Sequence, residues 1–253
     1  MAAGGHDYLT WESAAGSAPW LFDNRDGVVT RGADQVVARL SGIEDFDLVA
    51  LGDHDLTFVG SSRSERVFTV TWFDGRRSWA GSLEARMGGG NDKLWVNGDQ
   101  HPEIHGGPGV DRVRYHSPRR NTVSGVPVTM NLREGTVRSR GKVISRFYSV
   151  ENAILAAPLG STLVGSAGPN GLTLHMCGRV EGLGGDDVIK VHYGKNAACD
   201  SGRGVSLVGG PGDDLLVGGA GADSLYGGSG DDEAVGFGGS DLCRAEERRG
   251  CER

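Results

Sequence analysis

Near the end of the sequence, four aspartates recur at intervals of nine residues, each at the close of a glycine-rich turn. The repeated pattern is G-G-x-G-x-D-x-U-x, in which U is a large apolar residue. Carboxylate and carbonyl oxygens are the ligands that Ca²⁺ prefers, and glycine allows tight turns with positive φ and close approach to an ion. The pattern therefore predicts calcium binding by Gly209, Gly210, Gly212, Asp214, Gly218, Gly219, Gly221, Asp223, Gly227, Gly228, Gly230, Asp232, Gly236 and Asp241.

The three residues after each aspartate are enough for one short strand. If a turn and a strand form half of a coil, turns two repeats apart stack, so that Asp214 faces Asp232 and Asp223 faces Asp241. Carboxylates stacked at about 5 Å, the usual strand spacing, would repel one another without a cation. Side chains alternate along a strand, so the middle residue should point inward. These inward residues are Leu216, Leu225 and Ala234.

A second pair of acidic turns precedes Asp92 and Asp111. Residues 106–114 match the nine-residue pattern in full, whereas Met87 stands where the turn before Asp92 should have its first glycine. The separation of the two aspartates exceeds the length of two repeats by a single residue. This spacing predicts a further calcium ion between Asp92 and Asp111.

Residues 209–242 resemble the calcium-binding repeats of the RTX, or haemolysin-type, proteins, because four consecutive copies stand in one register. A flexible glycine-rich tail, the alternative, would not repeat an apolar residue at every ninth position. The resemblance implies a right-handed parallel β-roll in which two stacked turns share each ion, assembled outside the cytoplasm. Leu183 and Phe237 replace the second glycine in two of the turns and depart from the pattern.

The rest of the chain is expected to be all-β as well. Val126, Val128, Met130 and Leu132 alternate with polar or turn-forming residues, as in a half-buried strand. No segment shows a sustained apolar stripe of helical period, so very little helix is expected. The predicted fold is a right-handed parallel β-helix or β-roll solenoid.

Two halves of the chain repeat one order of elements: an apolar-acidic strand, a strand ending in Val-Gly-Ser, and a glycine–aspartate turn. This order predicts duplication of a long β-unit. The corresponding segments are 43–48, 56–61 and 87–94 in the first half, and 150–155, 162–166 and 182–189 in the second. The expected organisation is a diverged half at 1–114 with calcium turns at 87–114, a solenoid segment at 115–180, and a calcium-binding roll with a cap at 181–253.

The coil is expected to continue upstream of the four repeats. Ile189 and Leu207 lie two repeat lengths apart and would extend the inward apolar ladder. The aspartate position is less regular there, since Asp187 is followed at nine-residue intervals by Asn196 and Val205. Ion binding is therefore expected to weaken on that side.

Composition limits the classes of partner. Glycine contributes 44 of the 253 residues without a strict triplet, which excludes collagen. A net charge of -7 argues against nucleic acid as a partner. No stretch approaches the roughly 20 apolar residues of a membrane span. The resemblance to RTX repeats implies an extracellular protein. The opening residues resemble the end of a repeat and show no export signal, so we expect an export signal that is not visible in this chain.

Four cysteines allow three pairings. The nearest-neighbour pairing joins Cys177 to Cys199 and Cys243 to Cys251, and the second bridge would clamp the last coil. Each bridge would contribute about 2 to 3 kcal/mol. Free buried thiols are the alternative.

Catalysis is not expected. Cys199-Asp200-Ser201-Gly202 resembles the nucleophile segment of chymotrypsin-like proteases, but no matching histidine motif precedes it. The three histidines His101, His105 and His116 lack a zinc-site motif. Trp72, Trp79 and Trp95 are compatible with a sugar-stacking strip, although such residues more often shield a sheet.

The sequence therefore predicts calcium binding that stabilises an extracellular structural or adhesive module. The alternatives are an accessory calcium-binding region of a secreted hydrolase and a carbohydrate- or cell-wall-binding solenoid. The expected partners are calcium ions and cell-surface or polysaccharide ligands.

Overall fold

A computed structural model describes residues 7–12, 18–33, 35–49, 54–70, 81–117, 125–192 and 204–252. These residues form β-strands joined by turns, with one short 3₁₀ helix at Gly98–Gln100. The strands pair mainly in parallel sheets, which confirms the predicted all-β parallel β-helix with very little helix. Within these ranges, no helix has the length and apolar character needed to cross a membrane.

The chain divides into two compact units. Unit 1 contains residues 1–114 and 145–150, and unit 2 contains residues 115–144 and 151–253. The division into three segments that the sequence suggested stays a prediction.

In unit 1, β1, β5, β7 and β9 pair in parallel to form one sheet. A second sheet contains β2, β6, β8 and β10, also parallel, and is extended by antiparallel β3 and β4. The strands are β1 (Tyr8–Glu12), β2 (Trp20–Asp23), β3 (Val28–Arg31), β4 (Gln35–Arg39), β5 (Asp45–Val49), β6 (Leu56–Val59), β7 (Arg66–Val70), β8 (Leu83–Arg86), β9 (Lys93–Asn97) and β10 (Glu103–His105). Two further strands, β11 (Arg112–His116) and β14 (Lys142–Tyr148), each include a unit boundary.

The core of unit 1 lies between its sheets. Alternate residues of β6, β8 and β9 are buried, as in β6, where Leu56 and Phe58 point inward. Phe46 meets Phe58 edge to face, with ring centroids 5.0 Å apart. Because β7 and β9 pair in parallel, the turns that precede them lie at the same edge of their sheet.

Unit 2 has the same plan. One parallel sheet runs β15, β17, β19, β21, β23 and β25, and the other runs β12, β16, β18, β20, β22 and β24, with β13 antiparallel to β12. The strands are β12 (Val128–Asn131), β13 (Thr136–Ser139), β15 (Asn152–Ala156), β16 (Ser161–Ser166), β17 (Gly171–His175), β18 (Gly178–Leu183), β19 (Val188–Val191), β20 (Ser206–Pro211), β21 (Leu215–Val217), β22 (Ser224–Ser229), β23 (Glu233–Val235), β24 (Leu242–Arg244) and β25 (Glu247–Arg249).

Buried side chains stack in register across the sheets of unit 2. One ladder is Leu163, Val180, Leu207, Leu225 and Cys243. The other is Ala153, Leu172, Ile189, Leu216 and Ala234. Leu216, Leu225 and Ala234 are buried, as the sequence predicted.

The predicted continuation of the ladder from Ile189 to Leu207 is wrong. Ile189 pairs with Leu216, whereas Leu207 pairs with Val180 and Leu225 in the other sheet. Residues 193–203 lie between β19 and β20, outside the described residues. This coil is therefore three repeat lengths long, where the sequence predicted two. A strict nine-residue period assigns Ile189 and Leu207 to the same sheet, but they belong to opposite sheets.

The two units share a further feature that agrees with the predicted duplication. In unit 1, β2 pairs antiparallel with β3 and parallel with β6. In unit 2, β12 pairs antiparallel with β13 and parallel with β16. The Val-Gly-Ser sequence begins at the last residue of β6 in one unit and ends β16 in the other, so equivalent segments occupy equivalent positions.

Candidate metal centre

The first glycine of each repeat is required for space rather than for a left-handed backbone. A Cβ at Gly209, Gly227 or Gly236 would overlap the Oδ2 atom of the aspartate five residues later. Positive φ, one of the two reasons expected for glycine in these turns, does not apply at this position. The carboxylate folds back over the turn and occupies the place of the missing side chain.

In the first and third repeats, the second and fourth glycines do adopt positive φ. Values are 130° and 134° at Gly210 and Gly212, and 132° and 138° at Gly228 and Gly230. A Cβ at Gly228 would also overlap the carbonyl oxygen of Gly210 in the stacked turn. These turns therefore bring backbone carbonyls close to the next coil, which only glycine permits.

The predicted stacking of Asp214 on Asp232 is confirmed, and so is that of Asp223 on Asp241. The backbone N–H of Asp214 donates to Oδ1 of Asp232 at 2.9 Å. The N–H of Asp223 likewise donates to Oδ1 of Asp241 at 2.8 Å. Oδ1 of Asp232 and Oδ1 of Asp241 thus each link two successive coils through a hydrogen bond. The expectation from the sequence had considered only the repulsion between stacked carboxylates.

The second oxygen behaves differently. Among the described residues, the buried Oδ2 atoms of Asp187, Asp214, Asp232 and Asp241 accept no hydrogen bond. A buried charged oxygen without a partner is costly, so these atoms favour either a proton or a cation. At Asp223 the arrangement differs, because the N–H of Gly219 donates to its Oδ2 at 2.6 Å.

Burial governs the protonation of this column. Burial, with a smaller contribution from neighbouring carboxylates, raises the pKa of Asp187 to about 7 and that of Asp214 to about 6. The pKa of Asp232 is raised for the same main reason. A bound cation would compensate the same negative charge without a proton.

Backbone oxygens converge on the same places. A Cβ at Gly209 would lie 2.7 Å from the carbonyl oxygen of Gly227 as well as against Oδ2 of Asp214. A Cβ at Gly182 would lie 2.7 Å from the carbonyl oxygen of Gly209 and against Oδ2 of Asp187. No group of three or more His, Cys, Asp or Glu side chains with metal-site spacing occurs in the described part of the chain. Since Ca²⁺ accepts carbonyl oxygens as readily as carboxylates, this donor set fits calcium.

Unit 1 contains a second column. The N–H of Asp92 donates to Oδ1 of Asp111 at 2.8 Å, so the structure brings together the pair predicted from the sequence. Burial raises the pKa of Asp92 to about 7. The positive φ angles of Gly88, Gly90, Gly107 and Gly109 match those of the repeat turns, although Met87 replaces the first glycine of its turn.

Sequence reasoning missed two residues of the unit 2 column. Asp187 stacks directly on Asp214, and its N–H donates to Oδ1 of Asp214 at 2.8 Å. The nine-residue period would instead have paired Asp187 with the residue two repeat lengths later, which is Val205. At the other end, Oε2 of Glu246 accepts the N–H of Asp232 at 3.0 Å in place of another aspartate. The Gly-Gly-Asp-Asp motif signals Asp187, whereas Glu246 falls outside the nine-residue period and has no such signal.

The turns that lack the second glycine keep its backbone conformation. Leu183 has φ of 82° and Phe237 has φ of 73°. The backbone therefore stays left-handed at both positions, and this conformation is strained for residues other than glycine.

The other sequence candidates lie elsewhere or pack on neighbours. The His105 ring stacks on Tyr148 with centroids 4.5 Å apart, and Trp95 stacks on Phe68 at 4.1 Å. Cys243 and Cys251 form the predicted disulfide, and Cys177 is also disulfide-bonded. Trp72, Trp79 and the segment 199–202 lie outside the described residues, and so does Cys199, the predicted partner of Cys177.

Comparison with known families identifies the C-terminal turns. Residues 206–243 match the model of the RTX calcium-binding nonapeptide repeat, in four copies. This match confirms the predicted repeat. No curated protein matches the chain.

Proposed function

We propose, from the RTX calcium-binding nonapeptide repeats at residues 206–243, that this chain binds calcium through its stacked aspartate turns and acts as an extracellular structural or adhesive module. The column of Asp187, Asp214 and Asp232 carries the proposal. Each of these carboxylates is buried, and one oxygen of each accepts no hydrogen bond from the described residues. The proposal assigns no catalysis to this chain.

The protein's own residues orient the carboxylates. Oδ1 of Asp232 accepts the N–H of Asp214, which fixes the direction of Oδ2 toward the first glycine of the turn. A bound calcium ion supplies the positive charge that compensates these oxygens. Formation of the coil and formation of the site are therefore one event, as expected where metal binding is coupled to folding.

The stabilisation expected from bound calcium suits a module that folds where calcium is plentiful. Extracellular calcium modules commonly bind with a Kd of about 10⁻⁴ to 10⁻³ M. At a calcium concentration ten times Kd, one site stabilises the folded state by about 1.4 kcal/mol. A few sites would thus supply a large share of the roughly 5 to 15 kcal/mol that is typical of a domain.

Two features support a location outside the cytoplasm. Cys243 and Cys251 are joined, and Cys177 is also disulfide-bonded, as is usual in oxidising compartments. The calcium concentration that such repeats need is also found there. Cell-surface or polysaccharide ligands are the partners we propose for an adhesive role.

Adjacent aspartates provide the test. Asp232→Asn keeps an acceptor for the N–H of Asp214 but removes the charge of a buried carboxylate, whereas Asp231→Asn changes an exposed neighbour. We expect Asp232→Asn to bind at least one calcium ion fewer in calorimetric titration, and Asp231→Asn to keep the wild-type stoichiometry. Equal stoichiometry in all three proteins would contradict the proposal.

A further inference from the structure

Glu65 is a buried acidic residue of unit 1 in a turn that lacks the glycine-rich repeat pattern. It lies between β6 and β7, outside the residues matched by the repeat family, and is fully buried. Its N–H donates to Oδ1 of Asp92 at 2.7 Å, just as the N–H of Asp92 donates to Oδ1 of Asp111. Glu65 therefore occupies the aspartate position of the coil that precedes Asp92.

The two carboxylate oxygens of Glu65 have different surroundings. Oε1 accepts the N–H of Ser61 and the Nδ2 of Asn24, both at 2.9 Å, and also the hydroxyl of Ser61. Oε2 is buried and accepts no hydrogen bond within the described ranges, and the same is true of Oδ2 of Asp92. Each of these two stacked, buried carboxylates thus has one oxygen inside the protein that accepts no hydrogen bond from the described residues.

The nearby arginine offsets the charge of this pair only in part, since its attraction is the smallest of the causes that act on the pKa of Glu65. Arg63 is 68% exposed and directs its guanidinium to Glu44, at 3.3 Å. Buried carboxylates whose charge is only partly offset are unfavourable, which leaves a cation as the natural partner.

A backbone oxygen completes the comparison with the repeat turns. A Cβ at Gly60 would lie 2.7 Å from Oε2 of Glu65 and would overlap the carbonyl oxygen of Met87. At Gly209 the corresponding neighbours are Oδ2 of Asp214 and the carbonyl oxygen of Gly227. The same two kinds of oxygen converge over the first glycine in both turns, although Glu65 replaces the aspartate.

We propose that Glu65, Asp92 and the carbonyl oxygen of Met87 bind a divalent cation of the calcium type, in addition to any ion held by Asp92 and Asp111. The hard oxygen donors select calcium over transition metals.

The equivalent turn of unit 2 shows what this position looks like without a charge. Asn170 follows Gly165-Ser166 at the same spacing, and its N–H donates to Oδ1 of Asp187 at 2.7 Å. Its Oδ1 accepts the N–H of Ser166 at 2.6 Å, and its Nδ2 donates to the carbonyl oxygen of Glu151 at 2.7 Å. An amide is therefore satisfied by the protein alone, whereas the carboxylate of Glu65 is not.

This comparison identifies the informative variant. Glu65→Gln keeps an oxygen for Ser61 and Asn24 and replaces Oε2 with an amide nitrogen, so it should fold without the ion. Glu44→Gln, which changes a more exposed acid of the same unit, is the matched control. Glu65→Asp keeps the charge and should retain binding.

Tryptophan provides a readout confined to unit 1. All five tryptophans have positions between 11 and 95, and Trp95 lies three residues beyond Asp92, about 10 Å along an extended chain. Terbium is the probe, and when bound at this site it should emit light after excitation of tryptophan. Added calcium should reduce this emission by displacing the terbium ion. We expect Glu65→Gln to raise the half-saturating terbium concentration at least tenfold and to bind one calcium ion fewer by equilibrium dialysis.

The outcomes separate this site from the repeats. Asp232→Asn should lower the calcium count but leave the terbium emission unchanged, whereas Glu65→Gln should alter both. Wild-type emission and calcium count in Glu65→Gln would overturn the proposal, whatever Asp232→Asn does. If Glu65→Gln fails to fold, anomalous scattering from terbium in wild-type crystals decides: a peak between Glu65 and Asp92 supports the site, and its absence overturns it.

Discussion

At the scale of single residues, the two oxygens of a repeat aspartate have separate roles. In Asp232, Oδ1 accepts the N–H of Asp214, and Oδ2 lies over Gly227 without a hydrogen bond from the described residues. At the same position, Asn170 and Glu65 instead accept an N–H of their own turn, from Ser166 and Ser61 respectively. Only a carboxylate has a charged second oxygen, so the residue type decides whether a turn can hold an ion.

Phe237 offers a test of backbone strain. It stands at the second glycine position with φ of 73° and is 67% exposed. A left-handed conformation costs a non-glycine residue about 1 to 2 kcal/mol. Glycine loses about 0.5 to 1 kcal/mol more than alanine through chain entropy. We therefore expect Phe237→Gly to raise the free energy of unfolding by up to about 1 kcal/mol in calcium, measured by urea denaturation.

Phe237→Ala serves as the control for this change, because it removes the exposed ring but keeps the Cβ and its strain. A Phe237→Gly protein no more stable than Phe237→Ala would show that the turn carries no such strain.

At the scale of elements, the end of unit 2 is closed by two short strands. β24 pairs with β22, and β25 pairs with β23, so each is an edge strand. The disulfide between Cys243 and Cys251 connects the buried end of one ladder to the residues after β25. Glu246 lies in the same loop and accepts the N–H of Asp232. The bridge therefore holds in place the residue that ends the carboxylate column.

Removal of this bridge should loosen the last coil first. For the double variant Cys243→Ala/Cys251→Ala we expect the free energy of unfolding to fall by about 2 to 3 kcal/mol, as for a disulfide that closes a short loop. Hydrogen exchange should show faster exchange in β24 and β25 together with weaker calcium binding. Amides of β6 and β8 in unit 1 act as the internal control. Unchanged protection of β24 and β25 would show that the bridge does not hold them.

At the scale of the whole molecule, buried carboxylates link stability to pH and calcium. Burial raises the pKa of Asp92 and Asp187 to about 7 and that of Asp214 to about 6. The folded chain then binds more protons than the unfolded chain between about pH 4 and pH 7. Because stability falls with pH wherever the folded state binds more protons, the calcium-free protein should lose stability as pH rises through this range.

Calcium should remove this dependence, since it binds the ionised carboxylates and releases their protons. We expect the melting temperature of calcium-free protein to be lower at pH 7 than at pH 5, and saturating calcium to raise it more at pH 7. The variant Asp187→Asn should show a smaller fall with pH. A melting temperature that rises from pH 5 to pH 7 without calcium would contradict the expectation.

The sequence by itself determined the repeat turns, because their signals are local. A nine-residue period defines both the turn and the inward residue, and it correctly predicted that Asp214 stacks on Asp232 and that Leu216 is buried. It also predicted the Asp92–Asp111 pair, since two turns close to one coil length apart leave little freedom of register.

Only the tertiary structure decided the rest, because stacking depends on coil length and on groups far apart in the chain. The lengthened coil places Ile189 beside Leu216 and Asp187 beside Asp214, where a count in nines fails. Glu65 was a recognisable acid five residues after a glycine, but its burial and its unsatisfied oxygen follow from packing. The sequence specifies which oxygens are available, and the coil specifies which of them meet.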